Sequence, residues 1–178
     1  MRFYANEFPE VGDTIMTTIT EVSDAGVRCT LDEYDGMEGY ARLIDMKRVR
    51  SVRTLNAITR VGKKEVVEVM DVDRVGRVVD VSRNSVTKDE RAAFDVTFHH
   101  AKRVSTILGY VARKHKIDDV ADRLGWPDFE VLSRLGDDPA ALPELASLPA
   151  DARETLLTQV DKKLARDDRV RQVVRTVD

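Results

Sequence analysis

Near residue 86 the apolar residues of this 178-residue chain change their period, and that change limits the fold more than any other feature. Upstream, short runs alternate with period two: TIMTTITEV, AGVRCTLDEY, EGYARLI, KEVVEVMDVD and GRVVDVSRN, each bounded by Gly, Asp or Asn. Successive side chains of an extended chain point to opposite faces, so runs of this kind are half-buried strands. In the second run Val27, Cys29 and Leu31 share one face and Arg28, Thr30 and Asp32 the other. Five such runs, with turns at YDGMEG and DVDRVGR, predict a small antiparallel barrel or sandwich.

Downstream the period becomes helical. TKDE at 87–90 has the form of a capping box, in which Thr87 accepts from the Glu90 amide and Glu90 reaches back to the Thr87 amide. Phe94, Phe98, Ala101, Val104, Leu108 and Val111 then step by three and four along one helical stripe. Gly125, Pro127, Gly136, Pro139, Pro143 and Pro149 cut the following stretch into short helices, and DARETLLTQVDKKL has the periodicity of a last one. The expected organisation is α+β and multidomain. An N-terminal five-stranded antiparallel OB-fold β-barrel occupies 1–86, a compact all-helical domain 87–168, and a tail 169–178 whose Val170, Val173, Val174 and Val177 suit a strand.

Charge is distributed unevenly along these parts. From Lys47 to Lys64 there are seven bases (Lys47, Arg48, Arg50, Arg53, Arg60, Lys63, Lys64) and no acid, whereas Asp118 to Glu154 holds ten acids against three bases. The formal net charge of -3 therefore does not argue against a nucleic-acid partner, because binding follows the local patch. The cationic run falls between the third and fourth strands, where an OB-like barrel carries a long loop beside its nucleic-acid surface. Seven cations there suit several phosphates, with log K falling by roughly 0.9 per contact on duplex DNA. The competing interpretation is a solvated loop that balances the acidic helices. Tyr34 and Tyr40, with Phe8 before them, are the only aromatic candidates for base stacking, so backbone contact is expected over base reading.

Sites for bond-making chemistry are lacking in the sequence. His99 and His100 are adjacent on the expected helix and point about 100° apart, and His115 lies far along it, so all three are expected at the surface and no metal site is expected. Asp32, Glu33 and Asp35 read as turn formers, since a calcium-loop pattern is absent. Cys29 reads as a small buried residue. No phosphate-cradling loop or nucleophile motif appears, so no catalytic residue and no cofactor are expected and the chain is not expected to be an enzyme. No run approaches a membrane span and MRFYANEFPE lacks the apolar stretch of a signal peptide, so a cytoplasmic location without a membrane partner is expected.

Several stretches, in order, resemble a known family: FPEVGD, LDEYDGMEGY, KRVRSV, VMDVDRVGRVVDVSRNSVTKDE and DDPAALPELASLPADARETLLTQVDKKL. Together they are similar to the first two domains of the alpha subunit of eukaryotic and archaeal translation initiation factor 2. The resemblance implies a role beside initiator tRNA and messenger RNA on the small ribosomal subunit. It also implies a third, α/β domain that attaches the subunit to its GTP-binding gamma partner, and the valine-rich tail suits the first strand of that domain.

Two departures qualify what the family implies. In eukaryotic members a loop serine followed by arginines is phosphorylated by stress kinases, which turns the factor into an inhibitor of its nucleotide-exchange factor. The preferred alignment through LIDMKRVRSV places Met46 or Lys47 near the phosphoacceptor, so the switch serine is absent; the other makes Ser51 the acceptor, flanked by Arg48, Arg50 and Arg53. A lysine there is a fixed positive charge where the family acquires about -2. The family's kinase-docking turn and strand correspond to Gly76, Arg77, Val78, Val79 and Asp80, with Gly and Asp kept and Arg77 and Val78 divergent. An alternative role follows: a viral-mimic decoy that binds stress kinases as a pseudosubstrate.

Overall fold

The computed structural model describes residues 2–46, 59–135 and 138–164. The chain divides into two compact units, Met1–Phe98 and His99–Asp178.

Five strands form the first unit: β1 (Thr14–Val22), β2 (Gly26–Leu31), β3 (Met37–Arg42), β4 (Lys64–Asp73) and β5 (Val78–Ser82), with a single helical turn, α1 (Leu43–Met46), after β3. They close into a barrel in the order β1-β2-β3-β5-β4, with β4 returning to β1. Four seams are antiparallel; the fifth, between β3 and β5 (Glu38–Tyr40 against Val78–Asp80), is parallel. Register slips between Ile19 and Glu21 and between Val69 and Asp71 mark bulges, which bend strands where a small barrel must turn its corners.

The interior follows the alternation in the sequence. Ile15, Ile19, Val27, Cys29, Leu31, Val67, Val69, Val79 and Val81 fill it. Met16 and Val66 break the alternation, being buried although they point outward. They pack with Val86 and Phe98, and with Phe3 and Phe94 beside them, so aromatic side chains cover that patch of the barrel's outer face. Space inside is limited: a Cβ on Gly26 would lie 2.3 Å from the Ala41 carbonyl oxygen, and one on Gly39 would lie 2.8 Å from Cys29 Sγ.

A long helix, α2 (Lys88–His115), begins at the capping box. Glu90 accepts from the Thr87 amide at 2.7 Å, and Thr87 Oγ1 accepts from the Glu90 amide at 3.3 Å. Its apolar stripe serves two cores, with Phe98 in the first unit and Val104, Leu108 and Val111 in the second. The second unit continues with α3 (Val120–Arg123), α4 (Phe129–Leu135), two short 3-10 turns (Pro139–Ala141 and Pro143–Ser147) and α5 (Ala150–Lys163). Leu124, Leu132, Leu135, Leu148 and Leu156 are its buried centre.

The histidines depart from the surface expectation. His99 is exposed, but the His100 ring stacks on Phe129 at 3.8 Å between centroids. The His115 side chain is only 11% exposed; its Nδ1 lies 3.1 Å from Asp151 Oδ2 and its Nε2 2.9 Å from Thr155 Oγ1. The imidazole ties the end of α2 to α5, which the sequence spacing does not reveal because the partners are 36 and 40 residues away. Among the described residues no group of three or more His, Cys, Asp or Glu is placed to hold a metal ion, and no helix is long and apolar enough to cross a membrane.

Candidate nucleic-acid interface

The cationic run occupies the long connection between β3 and β4. Lys47, Arg48, Arg50, Ser51 and Arg53 lie outside the described residues; Arg60, Lys63 and Lys64 lie within them. Both ends of the connection are fixed to the barrel. At the first end Met46 is buried, the Asp45 carbonyl accepts from the amides of Arg83 (2.9 Å) and Asn84 (3.1 Å), and Asn84 Nδ2 donates to the Ile44 carbonyl at 2.7 Å. At the second end Thr59 is buried, and Gly62, in the left-handed region, donates its amide to the Ile19 carbonyl at 2.8 Å. Ile19 donates back to the Lys63 carbonyl at 2.9 Å.

The cations at the second end are partly neutralised by the barrel itself. Lys63 Nζ lies 2.6 Å from Glu65 Oε1, and Arg83 reaches the other oxygen of Glu65 at 3.0 Å. Lys64 pairs with Asp32 and sits 5.8 Å over the Phe98 ring. The two carboxylates are 7% and 16% exposed while the lysines are 40% and 51% exposed, so the ammonium groups stay on the surface above buried acids. Arg60 is exposed. The acids that pair with Lys63 and Lys64 belong to the barrel itself.

The aromatic candidates for stacking take other roles. Tyr34 is 6% exposed, so its ring is no open platform. Tyr40 turns its hydroxyl to the Ala25 carbonyl at 3.2 Å. Phe8 is covered by guanidinium groups, Arg74 at 5.7 Å and Arg77 at 5.2 Å from its centroid.

At the β4–β5 turn Asp73 Oδ1 accepts from the amides of Val75 and Gly76, both at 2.9 Å, and Arg77 follows in the left-handed region at φ 55. Arg77 reaches Glu7 at 2.6 Å, which holds the Glu7 carboxyl below its ordinary range through that hydrogen bond. Val78, Val79 and Asp80 enter β5, with Val79 in the core and Asp80 exposed. Gly76 through Asp80 thus form one connected turn and strand, well separated in the chain from the cationic connection.

Glu33 is the residue most underread from the sequence. It is 1% exposed and accepts from the Tyr4 hydroxyl at 2.6 Å and the Met16 amide at 2.7 Å. Burial pushes its carboxyl up against the opposing pull of those two donors. It is a buried acceptor joining the N-terminal segment to β1, and the available signal was an acid immediately preceding a core tyrosine.

These features can be set beside known proteins. No protein-family model matches the chain. Over 174 residues, 96% of its length, it is 30% identical to eukaryotic translation initiation factor 2 subunit 1 of Plasmodium falciparum, covering 52% of that relative. The chain is a homologue of the alpha subunit of translation initiation factor 2. The corresponding subunit of Dictyostelium discoideum is 37% identical over 118 residues, 66% of this chain and 34% of that one. The chain thus spans about half, or less, of the length of these curated relatives. The intact alpha subunit of aIF2 from Pyrococcus abyssi superposes with a TM-score of 0.76 at 23% identity, over 90% of this chain and 64% of that one. The protein in the a/eIF2alpha-aDim2p-rRNA complex from Pyrococcus horikoshii gives 0.69 at 21% identity, over 88% and 97%. At these identities the two structures establish the shared fold, an OB-type barrel followed by a helical domain, for this homologue. Its curated relatives are initiation-factor subunits.

Proposed function

We propose that the protein works as an initiation-factor alpha subunit whose barrel grips RNA through the cationic connection between β3 and β4. The observation that carries this is the coincidence of a similarity spanning 96% of the chain with seven bases and no acid in the one long connection of the barrel. The RNA is the initiator tRNA and messenger RNA region at the small ribosomal subunit, which the chain meets as part of the ternary complex. Lys47, Arg48, Arg50 and Arg53 supply phosphate contacts, and Arg60, Lys63 and Lys64 extend the same positive strip along the start of β4. Carboxylates that pair with Lys63 and Lys64 hold the ammonium groups in place without covering them, so phosphate binding there exchanges one partner for another and adds less than an unpaired cation would. A protein of the same fold is found with rRNA in the Pyrococcus horikoshii complex, which supports an RNA partner here.

The test is co-sedimentation of the chain with small-subunit initiation complexes carrying initiator tRNA. Reversing the four bases Lys47, Arg48, Arg50 and Arg53 to Glu should remove the chain from the complex; retention at wild-type level contradicts the proposal.

A second role attaches to the β4–β5 turn. Val75 at its tip is 97% exposed, and Gly76 to Asp80 carry the family's kinase-docking position. In this reading the chain occupies a stress kinase and spares the authentic subunit. The chain should then slow phosphorylation of an authentic alpha subunit in a purified kinase assay, and an unchanged rate rejects the decoy role.

A further inference from the structure

The part of α2 that belongs to the second unit carries a cationic stretch of its own. Between Val96 and Ile117 the chain has five bases (Lys102, Arg103, Arg113, Lys114 and Lys116) and no acid. One face of the helix packs inward through Val104, Ile107, Leu108 and Val111. His99, Lys102, Thr106, Tyr110 and Arg113 step by three and four along the other face, and all five are exposed. At 1.5 Å per residue Lys102 and Arg113 stand roughly 16 Å apart along the axis, with Tyr110 between them.

We propose that this stripe is a second RNA contact surface, on which Tyr110 stacks a base of a single strand while Lys102 and Arg113 hold its phosphates. The reading rests on RNA being the partner of the chain, but it uses none of the residues of the β3–β4 connection. A surface that binds single strands without reading sequence pairs cations, which track the backbone, with an aromatic ring on which a base can lie. The barrel has the cations but not the ring, because Tyr34, Tyr40 and Phe8 are engaged elsewhere. Tyr110 is 38% exposed, whereas Trp126 and Phe129 are half-buried against the core of the second unit.

The charges on the stripe are available to a ligand. Among the described residues neither the Lys102 ammonium nor the Arg113 guanidinium has an ion-pair partner, although the second unit is rich in acids. The ion pairs of those acids lie off the stripe, Asp119 with Arg123, Glu130 with Arg134 and Asp151 with His115. Lys114, at the margin, donates to Thr155 Oγ1 at 3.1 Å instead. Thr106 donates to the Lys102 carbonyl at 2.7 Å, so its hydroxyl serves the helix and adds no charge between the two cations. A phosphate bound here displaces no protein carboxylate, unlike one bound at Lys63 or Lys64.

Anisotropy of a labelled short single-stranded RNA with the full chain, over a range of salt, tests the proposal. Lys102→Gln combined with Arg113→Gln should weaken binding about tenfold at low salt and flatten the fall of log K with log salt by roughly 1.4, two contacts at about 0.7 each. Glutamine is a good helix former and both sites are exposed, so the fold is retained. Tyr110→Ala should cost about tenfold, as for one stacked base, and Tyr110→Phe should bind like the parent. Parent-like affinity and slope in the double variant would overturn the stripe. The variant reversed at Lys47, Arg48, Arg50 and Arg53, measured alongside, separates the two readings: if it alone loses binding, the stripe fails and the connection stands, and if neither variant loses binding, both fail. Equal losses for Tyr110→Phe and Tyr110→Ala would overturn the stacking role. A poly-glutamate peptide bound as tightly as the RNA, and weakened equally by the double variant, would assign the stripe to an acidic protein surface and overturn RNA as its partner.

Discussion

The Tyr4 hydroxyl donates to Glu33 Oε2 at 2.6 Å, joining residues 29 positions apart, and the other Glu33 oxygen accepts from the Met16 amide. A carboxylate 1% exposed is held in the barrel wall by two donors from different segments. Removing one leaves a buried acceptor short of a partner. Tyr4→Phe should therefore destabilise the first unit by about 2 kcal/mol in urea unfolding.

The same carboxyl gives a pH dependence with a definite sign. Its value in the folded chain is raised above the ordinary 4.5, chiefly by burial, so the fold favours the protonated form. The contribution is fully present below 4.5 and is lost as pH rises through the folded value. Glu33→Gln is neutral at every pH and lacks this dependence. The stability advantage of the parent over this variant, measured across a pH series from 4 upward, should shrink as pH rises; growth of that advantage with pH would contradict the assignment.

Cys29 sits in the barrel core at 1% exposure, and burial pushes its thiol up to about 12. Thiolate is the reactive form, so a disulfide reagent at pH 8 should leave the folded chain untouched and react at once after unfolding. Fast labelling of the native chain would show the strand misplaced.

Gly26 meets the β3 backbone so closely that a methyl group would collide with the Ala41 carbonyl oxygen. Because backbone cannot rotate aside as a side chain can, Gly26→Ala should cost about 1–3 kcal/mol. Thr87→Ala, by contrast, removes one hydroxyl acceptor at the start of α2 and should cost about 1 kcal/mol. Urea unfolding of both variants checks the two values.

Much of this architecture was legible where local pattern determines it. β1 and β4 coincide with the alternating runs Thr14–Val22 and Lys64–Asp73, and the capping box forms as Thr87 and Glu90 require. Long-range relationships were hidden. Nothing in the period of residues 38–40 says that they will pair in parallel with 78–80, and the outward burial of Met16 and Val66 depends on aromatic residues far along the chain. Glu33 and Tyr34 looked like a turn acid and a stacking platform; one is a buried acceptor and the other a core ring. His115 was misplaced on the surface for the same reason, its partners Asp151 and Thr155 being distant in sequence. The cations of the candidate interface were legible as charge, but the pairing of Lys63 with Glu65 and of Lys64 with Asp32 was not.

The account rests on RNA meeting the connection between β3 and β4, and a salt titration measures that most directly. Binding of a short single-stranded RNA is followed by fluorescence anisotropy over a range of ionic strength, for the parent and for the variant with Lys47, Arg48, Arg50 and Arg53 reversed to Glu. The parent's log K should fall linearly with log salt, by roughly 0.7 for each phosphate contacted. The variant should bind too weakly to give a slope. Equal affinities and equal slopes for the two proteins would contradict the account.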